Sequence, residues 1–177
     1  MAHPASTSFM KEEDMLPMGL LKTHDPVPVE THGLGQFGTY APVVNIMCAS
    51  PPARQTSGAA GHDLKAQQSV RIPARGSASV PTGVSLALPP GHYARIAGRS
   101  SLAFKHRVTA FEGTIDSDYR GHVQVLLFNH SDTPYDVQVG DRVAQMVIQT
   151  YVAPVWNRVG SLSASRRGAG GFGSSGR

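Results

Sequence analysis

Short apolar runs separated by turn-forming residues make up the middle of the chain. The runs cover residues 43–47, 70–72, 84–88, 93–96, 123–128, 137–139 and 143–152. Val84, Leu86 and Leu88 alternate strictly with other residues, which is the period of a strand with one buried face. Turn-forming residues separate the runs at 81–83, 89–91, 131–134 and 140–141. The pattern predicts an all-β sandwich or barrel without a helix of ordinary length.

Two flanking regions lack this pattern. Residues 1–42 mix Pro, Gly, His and Thr without a sustained period, so we expect an N-terminal extension that packs little. Residues 43–159 form the expected β domain. Residues 160–177 are rich in Gly, Ser and Arg, which is typical of a flexible arm.

Composition narrows the class of protein. The 177 residues suffice for one domain with a substantial core. The single cysteine, Cys48, excludes an internal disulfide framework and a cysteine-based zinc cluster. A net charge of +4 suits a polyanionic ligand, but the basic residues are scattered, so stable nucleic-acid binding is not expected. No apolar stretch could span a membrane, and residues 11–14 are charged where a secretory signal needs an apolar run. We therefore expect a soluble intracellular protein, nuclear or cytoplasmic.

The C-terminal sequence RRGAGGFGSSGR, residues 166–177, combines features of an anion-binding loop. Its glycines allow backbone N–H groups to turn toward one phosphate. Arg167 adds a guanidinium, Ser174 and Ser175 add hydroxyls, and Phe172 could stack on a nucleobase. A solvated tail is the alternative interpretation. Both hold if the tail orders as a lid over bound nucleotide.

Three internal segments carry further polar chemistry. GRSSLA, residues 98–103, places Arg99, Ser100 and Ser101 together as a compact phosphate site. GTIDSDYRG, residues 113–121, suggests a β-hairpin whose backbone could pair with a base edge, although its two aspartates would also suit a solvated turn. GDRVAQMVI, residues 140–148, contains Gln145, and we interpret its Asp141 and Arg142 as a structural pair.

With SGAAGHDLKA at residues 57–66, these segments and the tail resemble, in order, the five motifs of the trimeric dUTPases. The resemblance covers roughly residues 43–177 without an insertion between motifs. It implies a jelly-roll-like β-barrel that assembles as a homotrimer with shared active sites. The implied reaction is hydrolysis of dUTP to dUMP and pyrophosphate, which limits uracil incorporation into DNA and supplies dUMP for thymidylate synthesis.

The resemblance also assigns residues to roles. Asp116 would activate the water, while Arg99, Ser100, Gln145 and Arg167 would stabilise charge on the phosphates. The remaining implied substrate contacts are Ser101, Gly113, Thr114, Ile115, Tyr119, Phe172, Gly173, Ser174 and Ser175. Among these, the backbone at 113–115 would read uracil, and the Tyr119 ring would lie under the deoxyribose.

A hydrated Mg²⁺, held mainly by the substrate phosphates, would contact Asp63 through water. Two positions depart from the usual motifs. His62 stands where Tyr is common, and Ser101 where Gly is common. Ser101 can still donate its backbone N–H, provided that its φ is not positive.

Two other functions stay open from the sequence. A dCTP deaminase of the same superfamily would need an additional acid or base to attack a base carbon. A catalytically silent binding or signalling module is suggested by the unexplained extension at 1–42. Trp156 we assign to packing or to subunit contact.

Overall fold

The computed structural model describes residues 41–170, which form ten strands and one short helix. In chain order the elements are β1 (Asn45–Met47), β2 (His62–Lys65), β3 (Val70–Ile72), β4 (Ser77–Ala87), β5 (His92–Ala97), α1 (Ser100–His106), β6 (Val108–Ala110), β7 (Thr114–Ile115), β8 (Val123–Asn129), β9 (Tyr135–Val137) and β10 (Arg142–Thr150). No helix within residues 41–170 is long and apolar enough to cross a membrane.

The strands form two four-stranded sheets and a two-stranded ribbon. One sheet has the order β1-β4-β8-β6, the other β2-β10-β5-β7, and the ribbon pairs β3 with β9. Every pairing is antiparallel. In β8, Val123, Val125 and Leu127 are buried while Gln124 and Leu126 are exposed, as the period of two requires. The predicted all-β fold is confirmed.

One predicted turn is wrong. Residues 81–83 lie inside β4, which continues from Ser77 to Ala87. The pairing of β4 with β8 shifts register between Pro81 and Val84. Gly83 has φ +67°, and Thr82 donates a hydrogen bond of 2.6 Å from its hydroxyl to the Val123 carbonyl. Proline and glycine therefore make a β-bulge here rather than a reversal, because a bulge tolerates both residues.

The other turn signals are consistent with the structure. Gly91 and Gly140 adopt φ +76° and +87° in the turns before β5 and β10. Strands β2 and β6, by contrast, lie outside the apolar runs from which strands were predicted. Helix α1 is seven residues long and ends at Arg107 in the left-handed conformation with φ +56°. Its brevity explains why no helical period was recognised.

The segment after β10 has a different character. From Tyr151 to Gly170 the structure contains no strand or helix. The side chain of Trp156 is 90% exposed, and Val155 beside it is 96% exposed. Trp156 therefore does not pack within the described part of the chain, which leaves subunit contact as its interpretation.

Candidate active site

The carboxylate of Asp63 lies between two guanidinium groups. Its Oδ1 is 3.2 Å from Nε of Arg99, and its Oδ2 accepts a hydrogen bond of 3.1 Å from Nη1 of Arg142. Nη1 of Arg99 also donates to the Arg142 carbonyl at 2.9 Å. The Asp63 side chain is only 11% exposed, so these charge-assisted bonds fix both arginines in place.

Strand pairing explains why these residues meet. Asp63 in β2 is opposite Gln145 in β10, and Gln145 is opposite Ala97 at the end of β5. The chain leaves β5 through Gly98, whose carbonyl accepts a hydrogen bond of 3.1 Å from Nε2 of Gln145. The sheet register thus brings the first, second and fourth sequence motifs to one corner.

Gly61 also helps to form this corner. A Cβ atom added there would collide with Oε1 of Gln145. The absence of a side chain at position 61 therefore leaves room for the Gln145 amide. The amide is oriented by contacts on two sides, Gly98 and Gly61.

The predicted pair between Asp141 and Arg142 is wrong. The guanidinium of Arg142 pairs with Asp63, which is 79 positions earlier in the sequence. Asp141 instead accepts a hydrogen bond of 2.9 Å from the backbone N–H of Gln138 and so closes the turn before β10. Adjacent residues in a strand point to opposite faces, which disfavours a contact between neighbours in sequence. The sequence contains no local signal for the pair of Arg142 with Asp63, because this contact depends on the register of β2 and β10.

The two serines of the second motif begin helix α1. Ser100 is its first residue and Ser101 its second, and both are exposed. Among the described residues other than glycine, φ is positive only at Arg75 and Arg107, so the condition on Ser101 is met. The first N–H groups of a helix have no acceptor within the helix, and those of both serines can donate to a ligand.

A cavity of about 280 Å³ adjoins these residues. Arg99, Ser101 and Arg142 line it together with Lys105 and Tyr135. Burial raises the pKa of the Tyr135 phenol, and the charge of Asp141 acts in the same direction. Lys105 follows Ser101 by four positions, so the two share a helix face. Lys105 has no signal in the sequence, because it reaches this cavity only through the short helix α1.

The third motif lies at another place on the same sheet. Strand β7 is an edge strand, and its register sets Ile115 opposite Ala94. The Gly113 carbonyl accepts a 2.8 Å hydrogen bond from the N–H of Ile96. The other edge of β7 has no strand partner among residues 41–170. Because hydrogen-bonded pairs alternate in an antiparallel ladder, the backbone groups of Ile115 face β5 and those of Thr114 face the open edge, where they can pair with a ligand.

The predicted hairpin at this motif is wrong. After β7 the chain turns, and the N–H of Tyr119 bonds to the Asp116 carbonyl at 3.2 Å. Strand β8 then joins the other four-stranded sheet, so β7 and β8 do not pair. Strand β7 pairs with β5, whereas β8 pairs with β4 and β6. Asp116 is exposed at the end of the edge strand.

These two groups of residues do not meet within one chain. Asp116 directly follows Ile115, and continuing the direction of β7 by one residue brings it to the level of Tyr93, four residues before Ala97 on β5. With strands about 4.8 Å apart and about 3.3 Å per residue, Asp116 lies roughly 16 Å from Gln145 and roughly 19 Å from Asp63. Asp116 and the corner formed by Asp63, Arg99 and Gln145 therefore occupy different ends of the sheet.

The last motif is described only in part. Arg167 is exposed, and its Nε donates a hydrogen bond of 2.8 Å to the Gly170 carbonyl. Gly168 has φ +52° in the same turn. Phe172, Gly173, Ser174 and Ser175 lie outside the described residues, so their predicted contacts stay predictions.

Asp63 is the residue that the sequence predicts to contact a metal through water. Residues 41–170 contain no group of three or more His, Cys, Asp or Glu side chains arranged to ligate a metal. Oδ1 of Asp63 is paired with the Arg99 guanidinium and Oδ2 accepts from Arg142, yet a carboxylate oxygen has a second lone pair for a water bound to a cation. The residues present therefore fit a hydrated Mg²⁺ held through water and do not fit direct ligation by the protein.

Comparison with known proteins identifies the relatives of this chain. The profile of the dUTPase family matches residues 48–176. The deoxyuridine 5'-triphosphate nucleotidohydrolase of Oryza sativa subsp. japonica is 54% identical over 125 residues, which are 71% of this chain and 73% of the relative. That of Solanum lycopersicum is 51% identical over 125 residues, covering 71% and 74%.

Solved structures show the same fold. The dUTPase of Staphylococcus bacteriophage 80alpha with dUPNHPP superimposes with a TM-score of 0.72 at 25% identity, covering 76% of this chain and 99% of that chain. A dUTPase variant from phage phi11 of S. aureus, reported with a structural Mg(II) ion, has a TM-score of 0.63 at 21% identity and covers 67% and 97%.

Proposed function

The chain belongs to the dUTPase family and is a dUTP diphosphatase, and we propose that it hydrolyses dUTP to dUMP and pyrophosphate with a water activated by Asp116. The observation that carries this mechanism is the edge strand β7 with Asp116 at its end. The backbone N–H and C=O groups of Thr114, which face away from β5, are available to the polar edge of uracil, and Ile115 lies beside them. The exposed carboxylate of Asp116 follows directly, within reach of a water beside the nucleotide.

The other corner supplies the phosphate contacts. Arg99, Gln145 and the N–H groups of Ser100 and Ser101 converge there. A triphosphate gathers negative charge on the leaving pyrophosphate, and donors already fixed in position stabilise that charge without reorganisation. Arg167 adds a further guanidinium from the arm. Phe172 would then cover the uracil as the tail closes, with Gly173, Ser174 and Ser175 donating to phosphate.

Each active site in the proposed assembly contains residues of more than one subunit. The base must lie within hydrogen-bond distance of the water that attacks the α-phosphorus. A separation of roughly 16 Å between Asp116 and Gln145 within one chain is too long for both to serve the same α-phosphate easily. In a homotrimer, Asp116 of one subunit can lie next to the Arg99 corner of another subunit, so that both contact the same nucleotide. The exposed Trp156 is a subunit contact in this assembly.

Magnesium completes the site. A Mg²⁺ ion on the phosphate oxygens, with its waters donating to Asp63, would neutralise part of the triphosphate charge and restrict its conformations. Asp63 would orient that hydrated ion while it holds Arg99 and Arg142. By consuming dUTP and yielding dUMP, the enzyme limits uracil incorporation into DNA and supplies the precursor of thymidylate.

A substrate panel with one matched variant tests this function. Pyrophosphate release is measured with dUTP, dTTP, dCTP and UTP, and we expect turnover of dUTP to exceed that of the others. Asp116→Asn should lower kcat by at least about 100-fold while nucleotide affinity stays within a few-fold, because the amide keeps its shape but cannot accept a proton. Asp118→Asn, two positions away in the same turn, is the control. Wild-type kcat in Asp116→Asn would refute the role of Asp116, and deamination of dCTP would favour the rival activity.

Subunit mixing tests the shared site. A protein lacking residues 165–177 is mixed with full-length Asp116→Asn under conditions of subunit exchange. Both partners should be nearly inactive alone. Recovery of activity in the mixture would show that the tail of one subunit serves the Asp116 of another. If verified mixed trimers recover no activity, the tail and Asp116 that serve one active site must come from the same chain.

A further inference from the structure

The hydroxyl of Tyr119 has a defined anchor. It donates a hydrogen bond of 3.1 Å to the backbone carbonyl of His122. Tyr119 is 43% exposed, so packing covers only part of its side chain and the hydrogen bond adds a directional constraint. The orientation of this ring therefore depends on the short segment between Tyr119 and β8.

The acceptor of this bond lies on a rigid part of the fold. His122 precedes Val123, which is 1% exposed and pairs with Val84 across the sheet. The imidazole Nδ1 of His122 also shares a hydrogen bond of 3.1 Å with the hydroxyl of Ser85, a residue that is 7% exposed. Strand β4 thus fixes His122 through both its neighbour and its side chain, and a group held by such contacts is a precise anchor.

Gly121 leaves the space through which the Tyr119 side chain reaches this anchor. A Cβ atom added at position 121 would collide with the Tyr119 hydroxyl oxygen and would lie 2.6 Å from Cζ. Carbon atoms do not approach this closely, so the ring would have to rotate away. Backbone conformation does not impose glycine here, because the φ of Gly121 is not in the left-handed region. The contact with Tyr119 is the constraint that the structure shows.

We propose that Gly121 is a positioning residue for sugar discrimination: by lacking a side chain, it lets Tyr119 bond to the His122 carbonyl and holds the ring where a 2′-hydroxyl would lie. This inference rests on the proposed function and on the predicted place of the Tyr119 ring under the deoxyribose. A ring released from His122 can move, and a displaced ring excludes the 2′-hydroxyl less strictly.

The experiment measures kcat/KM for dUTP and for UTP on the same preparation of full-length protein. The ratio of the two values is independent of the fraction of active enzyme, so partial misfolding of a variant does not affect it. We expect Gly121→Ala to lower the ratio by roughly 5- to 50-fold, and Tyr119→Ala to lower it by roughly 10- to 200-fold. Tyr119→Phe, which removes only the anchoring hydroxyl, should give a smaller fall in the same direction.

A double-mutant cycle separates positioning from a general structural role. In the Tyr119→Ala background, Gly121→Ala should change the ratio less than twofold, because no ring remains to be displaced. Gly160→Ala is the control for glycine replacement, since an added Cβ there meets no atom within 4 Å and the ratio should stay unchanged.

Each result has one meaning. An unchanged ratio in Gly121→Ala, or an equal fall with and without the Tyr119 ring, would overturn the inference and leave the proposed function intact. An unchanged ratio in Tyr119→Ala would overturn the inference together with the sugar contact. A wild-type protein that hydrolyses neither nucleotide would instead overturn the proposed function itself.

Discussion

Replacing Asp63 by Asn should destabilise the protein by about 2–4 kcal/mol. Loss of one member of a fully buried ion pair typically costs about 3–5 kcal/mol, because the remaining charge is left without a partner. Here two guanidiniums would lose their common counter-charge. Most of this loss of stability should come from Arg99, whose side chain is 20% exposed. The Arg142 side chain is 40% exposed, so water partly screens its charge. The Asn oxygen can still accept one hydrogen bond, so the loss of stability should be smaller than the typical cost of about 3–5 kcal/mol.

Urea unfolding at a fixed protein concentration measures this change. The concentration must match between variants because association into the proposed homotrimer would contribute to the apparent stability. Asp136→Asn is the control, since its ion pair with Arg71 joins side chains that are 52% and 67% exposed. Such a pair contributes about 0–1 kcal/mol. Equal losses of stability in Asp63→Asn and Asp136→Asn would refute the argument from burial.

Magnesium titration of the same variant tests the second role of Asp63. At saturating dUTP, Asp63→Asn should raise the Mg²⁺ concentration for half-maximal rate severalfold, because a neutral amide is a weaker acceptor for metal-bound water. Asp136→Asn should leave it unchanged. A destabilised Asp63→Asn protein with the wild-type Mg²⁺ requirement would restrict Asp63 to holding the two arginines.

Two further predictions follow from the tail and the cysteine. Deletion of residues 165–177 should leave a folded protein, because the described part of that segment is mostly exposed, but should lower kcat/KM on dUTP by at least about 100-fold. Phe172→Ala alone should lower kcat/KM by roughly 10- to 100-fold, the scale of one stacking contact. A deletion protein with near-normal kcat/KM would refute the lid. Burial raises the pKa of the Cys48 thiol, so less thiolate is present at a given pH and alkylation should be slower than for a small thiol. The rate should rise from pH 8 to pH 10, and a rate equal to that of free cysteine at pH 8 would contradict this.

Local sequence patterns predicted the strands wherever the apolar period was clear. Val84, Leu86 and Leu88 alternate, and the first two lie in β4 with buried side chains while Leu88 is buried just after it. The prediction failed at residues 81–83, because proline and glycine form a bulge as well as a turn and their local preferences are similar. Helix α1 was missed because seven residues contain too few turns to show a period.

The sequence by itself determined the family and the all-β class and predicted the residues of the site, because motif identity and strand period are properties of neighbouring residues. Only the tertiary structure decided which of those residues meet. The register of β2, β10 and β5 joins Asp63 to Arg99 and Arg142, and the pairing of β7 with β5 places Asp116 at the other end of that sheet. Register depends on the simultaneous packing of segments far apart in the chain, and a one-residue shift would turn every side chain of a strand to its opposite face.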